Sequence, residues 1–407
     1  MARLNQRNTI ALTFILGTLS AFGPLTTDMY LPGMPALVED FSTDSGSVQL
    51  TLSLFFLGLA FGQAFYGPIA DRIGRRIPLL FGCGLYTLAS IGCALAPTIE
   101  VLIFMRCLQA LGGCAGMVLS RTVVRDLFET KDAARMYSFL ILVMGLAPIT
   151  APFLGGQILL YFDWRAIFWF LTFFGLLCFL LVAFGLPESL PTERRQHLTL
   201  GSVLGKYGKL LRDKPFMGFA IVNGCISGGM FAYISGSPFV FIDLHGVAPE
   251  NFGWIFGANA AGLIATSQFN RRLIRSYDSR TILRGMLLTY MVSSVVLVMA
   301  AVSQIGGMWG LLLPLFICVS CNGMSGPNAT AVALEPYGQI AGIASAVFGA
   351  TQFLIGAASG ALVGQLDNGT SVPMTAVMCL CGVIALAAFF LLANSKRAVQ
   401  PASQTAA

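Results

Sequence analysis

Apolar stretches of about twenty residues, set one after another along the whole chain, decide most of what it can fold into. They run over 9–36, 47–69, 78–96, 100–122, 136–160, 166–187, 215–242, 252–270, 281–303, 307–330, 339–365 and 372–394. A helix needs about 20 such residues to cross the hydrocarbon of a bilayer. Only helices and closed barrels satisfy their backbone there, and these runs are continuous rather than alternating, which excludes an outer-membrane barrel. The sequence therefore predicts an all-α polytopic membrane protein, with twelve transmembrane helices in two six-helix bundles. Charged residues make up 10% of the 407 positions, against about 25% in a soluble domain, which is too few to clothe a soluble enzyme of this size.

The cations set the orientation. All but Arg106 and Arg165 of the 24 Lys and Arg residues fall on one side of the predicted spans, while Glu39, Asp40, Asp44, Asp163, Glu250 and Asp367 fall on the other. The positive-inside rule puts that basic side, and both termini, in the cytosol. The apolar stretch that follows Arg3 and Arg7 continues to Tyr30 without a cleavage site, so it is expected to be kept as the first helix. The longest polar stretch, 188–214, carries Arg194, Arg195, Lys206, Lys209, Arg212 and Lys214. It divides the chain into a first bundle (1–187), a cytosolic linker (188–214), a second bundle (215–396) and a tail (397–407). Paired bundles suit alternating access, and equal halves also suit a scaffold or a channel.

Ionisable groups in hydrocarbon are costly and usually functional. Asp28 lies in the outer half of the first span and Arg106 in the outer half of the fourth. Two readings of this pair stand open: a static buried ion pair that fixes packing, or a proton site tuned by a nearby cation, loaded and unloaded as burial and distance change. Tyr30, Gln109, Asn223, Asn259, Asn322, Asn328 and Gln352 are further polar positions within spans. Together they would line a weakly polar substrate cavity with one acid, and singly each would bond a neighbouring helix. Glycines four apart, such as Gly58 and Gly62 or Gly360 and Gly364, read as close-packed helix faces. The phenylalanines are expected to face lipid or fill gaps between helices.

Other chemistry finds little support. The ten cysteines all fall within apolar runs, where Cys serves as a small buried residue. Cys318-x-x-Cys321 has no His or second Cys pair beside it. His197 and His245 lie in loops on opposite sides. No metal, no cofactor, no catalytic residue and no nucleic-acid partner is expected. The partners expected are the lipid bilayer, protons and small molecules, with the chain acting as a monomer.

The motifs narrow the reading. Gly67-Pro-Ile-Ala-Asp71-Arg72-Ile-Gly74-Arg75-Arg76, between the second and third spans, resembles the cytosolic loop motif of the major facilitator superfamily. Gly74 permits a tight turn there, Asp71 can face a helix N-terminus, and the basic residues can reach anionic lipid or the facing bundle. Such a loop would act as a conformational latch on the inner side. Arg106-Cys-Leu-Gln109-Ala-Leu-Gly112 resembles the fourth-helix motif of proton-coupled members, and Ala147-Pro148-Ile-Thr-Ala-Pro152-Phe-Leu-Gly155-Gly156 the fifth-helix motif of drug:proton antiporters. Asp28-Met-Tyr30-Leu-Pro32-Gly-Met-Pro35, Ser237-Pro-Phe-Val-Phe-Ile and Val247-Ala-Pro249-Glu-Asn-Phe-Gly253 are similar to the bicyclomycin-resistance (Bcr/CflA) branch. The resemblance covers essentially the whole chain. It implies export of small amphipathic drugs, such as bicyclomycin-, sulfonamide- or chloramphenicol-like compounds, in exchange for protons, with Asp28 as the protonatable acid and Arg106 as its coupling partner. A metabolite exporter or a proton-coupled uptake symporter of the same fold is the alternative reading.

Overall fold

The computed structural model describes residues 6–195 and 200–393. His197, Arg3, Lys396 and the expected tail at 397–407 lie outside the described residues. Its helices are α1 (Gln6–Ser20), α2 (Phe22–Asp28), α3 (Met34–Asp40), α4 (Ser45–Ile73), α5 (Arg76–Ala94), α6 (Ile99–Leu127), α7 (Thr130–Leu159) and α8 (Arg165–Gly185), then α9 (Leu200–Arg212) in the linker. They continue with α10 (Lys214–Pro238), α11 (Pro249–Leu273), α12 (Ser279–Ser303), α13 (Gly307–Leu334), α14 (Ala341–Gln365) and α15 (Val372–Ala388).

Nine described segments are long and apolar enough to cross a membrane. One of them, Gly307–Gln365, holds two passes, α13 and α14, joined by the short turn Glu335–Ile340. The first pass escapes that test because it is broken into α1, α2, the 3-10 turn Leu31–Gly33 and α3. Prolines cause the breaks: Pro24 and Pro32 offer no N–H to the carbonyls of Ser20 and Asp28, and each ring crowds the carbonyl four residues back. The pass through α11 escapes it because of its polar content, including Asn251, Asn259, Gln268, Asn270, Arg271 and Arg272. With these, the described residues make the twelve passes expected, six on each side of the linker. Several helices outrun their apolar stretch at the linker end. Continuing α6 to Leu127 places Arg121 and Arg125 on a helix rather than in a loop.

Within the first bundle α6 packs on α4 and α5, and α5 on α8. Within the second, α10 packs on α14 and α15, and α13 on α11 and α12. The bundles meet where α4 lies along α14 and where α7 lies along α11. Small residues close this seam at the end away from the linker. A Cβ on Gly46 would lie 2.6 Å from the Gly364 carbonyl oxygen, and one on Gly156 would lie 2.8 Å from that of Pro249. Ser45 donates to Asp367, and Ser235 donates to Gln49 at 3.3 Å, both across the seam. At the other end α9 straps the bundles: Tyr207 Oη donates to the Ala64 carbonyl of α4 at 2.5 Å, while α9 packs on α10 and α14.

The Gly67–Arg76 loop is a knot inside the first bundle. Gly74 sits at φ 101°, a conformation that favours glycine. Buried Arg75 turns inward and bonds Asp71 at 2.7 Å and Asp126 of α6 at 2.9 Å. The Glu188 carboxylate, at the start of the linker, accepts the backbone N–H groups of Arg75 at 2.8 Å and Arg76 at 3.2 Å. It thereby caps the N-terminus of α5, where an anion is favoured. Burial disfavours its charge, but these donors and Arg195 outweigh burial and hold the carboxyl below its ordinary value of 4.5. Arg76 donates to the Ala183 carbonyl. The expectation that the basic residues reach lipid or the facing bundle is corrected for Arg75 and Arg76, which bond within their own bundle; Arg72 is exposed.

Candidate functional site

Between the bundles lies a chamber of about 250 Å³. Its walls come from α2, α4, α6 and α7 of the first bundle and from α10, α11, α13 and α14 of the second. Asp28 stands in this wall as the last residue of the short α2. Among the lining residues it is the only carboxylate. The Asp28 side chain makes no hydrogen bond or ion pair with any described residue, although Asp28 is only 5% exposed. The break in the first pass explains this placement. Pro32 denies the Asp28 carbonyl its helical N–H partner, so α2 ends at Asp28 and the pass continues as a tighter turn over Leu31–Gly33 where it meets the cavity.

Of the other expected cavity residues, Asn259 and Gln352 line the chamber. Asn259 donates to Tyr233 Oη at 3.0 Å, and Asn223 backs Gln352 by donating to its Oε1 at 3.1 Å. The remaining four are corrected. Asn322 bonds carbonyls of its own helix, Cys318 and Val319. Asn328 bonds Asn270 at 2.8 Å and so locks α13 to α11. Tyr30 is occupied with Thr51 at 3.0 Å, and Gln109 with Arg106 and Ser90. None of these four lines the chamber.

The rings do. Phe56 of α4 meets Phe231 of α10 at 4.3 Å between centroids, Phe231 stacks on Phe353, and Tyr233 stacks on Phe256. This apolar clasp joins the bundles, with Met117, Met144 and Met230 beside it. The sequence reading assigned the phenylalanines to lipid and packing, because an aromatic residue carries the same signal on either face of a helix. Pro148 was the one available pointer, and it also lines the chamber. Pro152, Gly155 and Gly156 are buried, the glycines at the backbones of Met29 and of Pro249–Glu250.

Arg106 is not the partner of Asp28. It is fully buried, with its guanidinium carbon 4.4 Å from the Phe55 ring centroid, 4.6 Å from Tyr30 and 5.7 Å from Phe168. Its Nη1 donates to Gln109 Oε1 at 2.7 Å and to the Thr26 carbonyl at 3.2 Å, while Nε and Nη2 have no hydrogen-bond partner among the described residues. No acid is paired with it among the described residues. An aromatic cage holds a cation through the ring quadrupoles, so the site separates an unpartnered acid in the chamber from a cation seated in the first bundle.

Comparison with known proteins agrees with this architecture. Residues 15–361 match the Major Facilitator Superfamily profile. The chain is 39% identical over 389 residues to an uncharacterised MFS-type transporter, YdgK, of Bacillus subtilis (strain 168), covering 95% of this chain and 96% of that one. It is 33% identical over 389 residues to a bicyclomycin resistance protein homolog of Haemophilus influenzae, covering 96% and 98%. The fold also matches a partially occluded inward-open structure of the xylose transporter XylE from E. coli, with a TM-score of 0.74, 14% identity, and 95% and 98% coverage. The chain is thus a membrane transporter rather than an enzyme, and it belongs to the Major Facilitator Superfamily, in the branch that holds the bicyclomycin-resistance proteins.

Proposed function

We propose that this protein exports small amphipathic drugs, bicyclomycin- or chloramphenicol-like in size and polarity, in exchange for protons, with its termini and linker in the cytosol of a bacterial inner membrane. The observation that carries the reading is Asp28: a carboxylate without a partner in the wall of an aromatic chamber between two bundles. A carboxylate in hydrocarbon is expensive unless it has work to do. Here a proton and a drug compete through one space: a proton neutralises Asp28 when the chamber faces outward, and a drug that hydrogen-bonds or pairs with the ionised acid displaces that proton when the chamber faces the cytosol. The bundles are sealed at the end away from the linker by the Gly46–Gly364 and Gly156–Pro249 approaches, the geometry of a chamber that loads from the linker side. The relative named for bicyclomycin resistance supports the substrate class.

The test is accumulation of radiolabelled chloramphenicol in proteoliposomes under an imposed pH gradient. Exchange predicts accumulation when the lumen is acid, whichever way the protein is inserted. Accumulation with an alkaline lumen instead would mean symport and would overturn the proposal.

A further inference from the structure

A second cavity, of about 330 Å³, opens at the linker end between α4, α6, α7 and α14. Met117 and Met144 line both this vestibule and the chamber that holds Asp28, so the two spaces meet across a pair of flexible thioethers. Arg121 stands at the division. It lines the vestibule, and its Nη2 touches Met144 Sδ at 3.4 Å. Its backbone is tied to α7, because Tyr137 donates to the Arg121 carbonyl at 3.0 Å.

The neighbouring charges are already spent, and Arg121 is not. Asp71 and Asp126 are taken by Arg75, and Arg125 has Asp126 at 4.0 Å. No acid lies within ion-pairing distance of Arg121 among the described residues. A cation about nine ångströms from the end of α6, at 1.5 Å per residue, ordinarily reaches for headgroups; this one faces the space between the bundles.

We infer that Arg121 is a substrate-binding residue, and that the compounds these two spaces take are dipolar: an oxyanion or strong acceptor at one end, an N–H or ammonium donor at the other, and an apolar ring-bearing body between. The inference rests on the exporter reading above. A planar guanidinium binds an oxyanion in fork geometry, the donor end meets Asp28, and the rings of Phe56, Phe231 and Phe353 hold the body. The exchange logic requires the same polarity. An anion placed beside Asp28 would favour its protonation and so couple the two ligands in the same direction, whereas a donor beside Asp28 displaces the proton. Arg121 draws the anionic end to the mouth, away from that acid.

The experiment measures binding of norfloxacin, a zwitterion at neutral pH, its methyl ester, which lacks the anion, and its N-acetyl derivative, which lacks the cation, to purified protein in phosphatidylcholine nanodiscs. Proton-driven chloramphenicol accumulation is measured on the same preparations. Wild type is expected to bind norfloxacin about tenfold more tightly than either blocked form, the worth of one charge-assisted contact. Arg121→Gln should weaken norfloxacin about tenfold and the ester far less, and Arg121→Lys should fall between. Equal binding of norfloxacin and its ester by wild type, failure to bind norfloxacin, or equal weakening of both compounds by Arg121→Gln would overturn the inference. Proton-driven chloramphenicol accumulation that persists in any of those cases would leave the exporter reading standing, and its absence would remove that reading separately.

Discussion

Arg106 shows how far a single residue could be read. The motif on α6 marked it as an intramembrane cation, but sequence spacing gives depth along a helix and not which neighbouring helix a side chain meets. Apart from Gln109 on its own helix, its surroundings are Tyr30 from the break in the first pass, Phe55 from α4 and Phe168 from α8. Asp28 was legible because an acid in an apolar run is conspicuous, whereas the rings that share its chamber were not, since nothing in their spacing distinguishes a cavity from lipid. The cage gives a prediction that differs from ion pairing. Arg106→Lys keeps the charge but loses the planar face and the Gln109 bond, at a cost on the order of 2 kcal/mol. The purified variant should melt several degrees lower and transport more slowly, while its rate-against-pH profile keeps its position. A displaced profile would show that Arg106 acts on the proton site after all.

Elements carry the next level. The breaks at Pro24 and Pro32 were written in the sequence, yet the first span reads as one apolar stretch because hydropathy does not register a missing N–H. The loop after α4 was read by motif, but its partners Asp126 and Glu188 lie far along the chain, and only the folded bundle brings them to Arg75. A Cβ on Gly74 would fall into the Glu188 carboxylate, and that backbone conformation costs other residues about 1–3 kcal/mol. Gly74→Val is therefore expected to loosen the knot and slow transport severalfold, with drug affinity in the intact chamber nearly unchanged; an equal fall in affinity and rate would mean the knot shapes the chamber itself. The Glu188 carboxyl titrates below its ordinary value. Its contribution to stability is thus fully present above 4.5 and is lost as pH falls through the lowered value. Thermal unfolding of wild type and Glu188→Gln should differ at neutral pH and converge in acid, and a difference that persists in strong acid would point to packing rather than charge.

At the scale of the whole molecule, the seam decides which side of the chamber is shut. A Cβ on Gly46 would meet the Gly364 carbonyl oxygen at 2.6 Å, so Gly46→Leu should wedge the bundles apart at the end away from the linker. Spin labels placed across that end should report a longer, broader distance distribution than in wild type, and an unchanged distribution would place the seal elsewhere. The architecture that makes this testable was the most legible feature of all, because twelve apolar spans and a basic linker fix the bundles before any side chain is placed. The central claim is narrower: Asp28 is the group through which drug and proton compete. Its most direct measurement is proton release on adding drug to purified protein in weakly buffered solution. Wild type is expected to acidify the medium, and Asp28→Asn to bind the drug with no acidification. Release from Asp28→Asn equal to that of wild type would contradict the account.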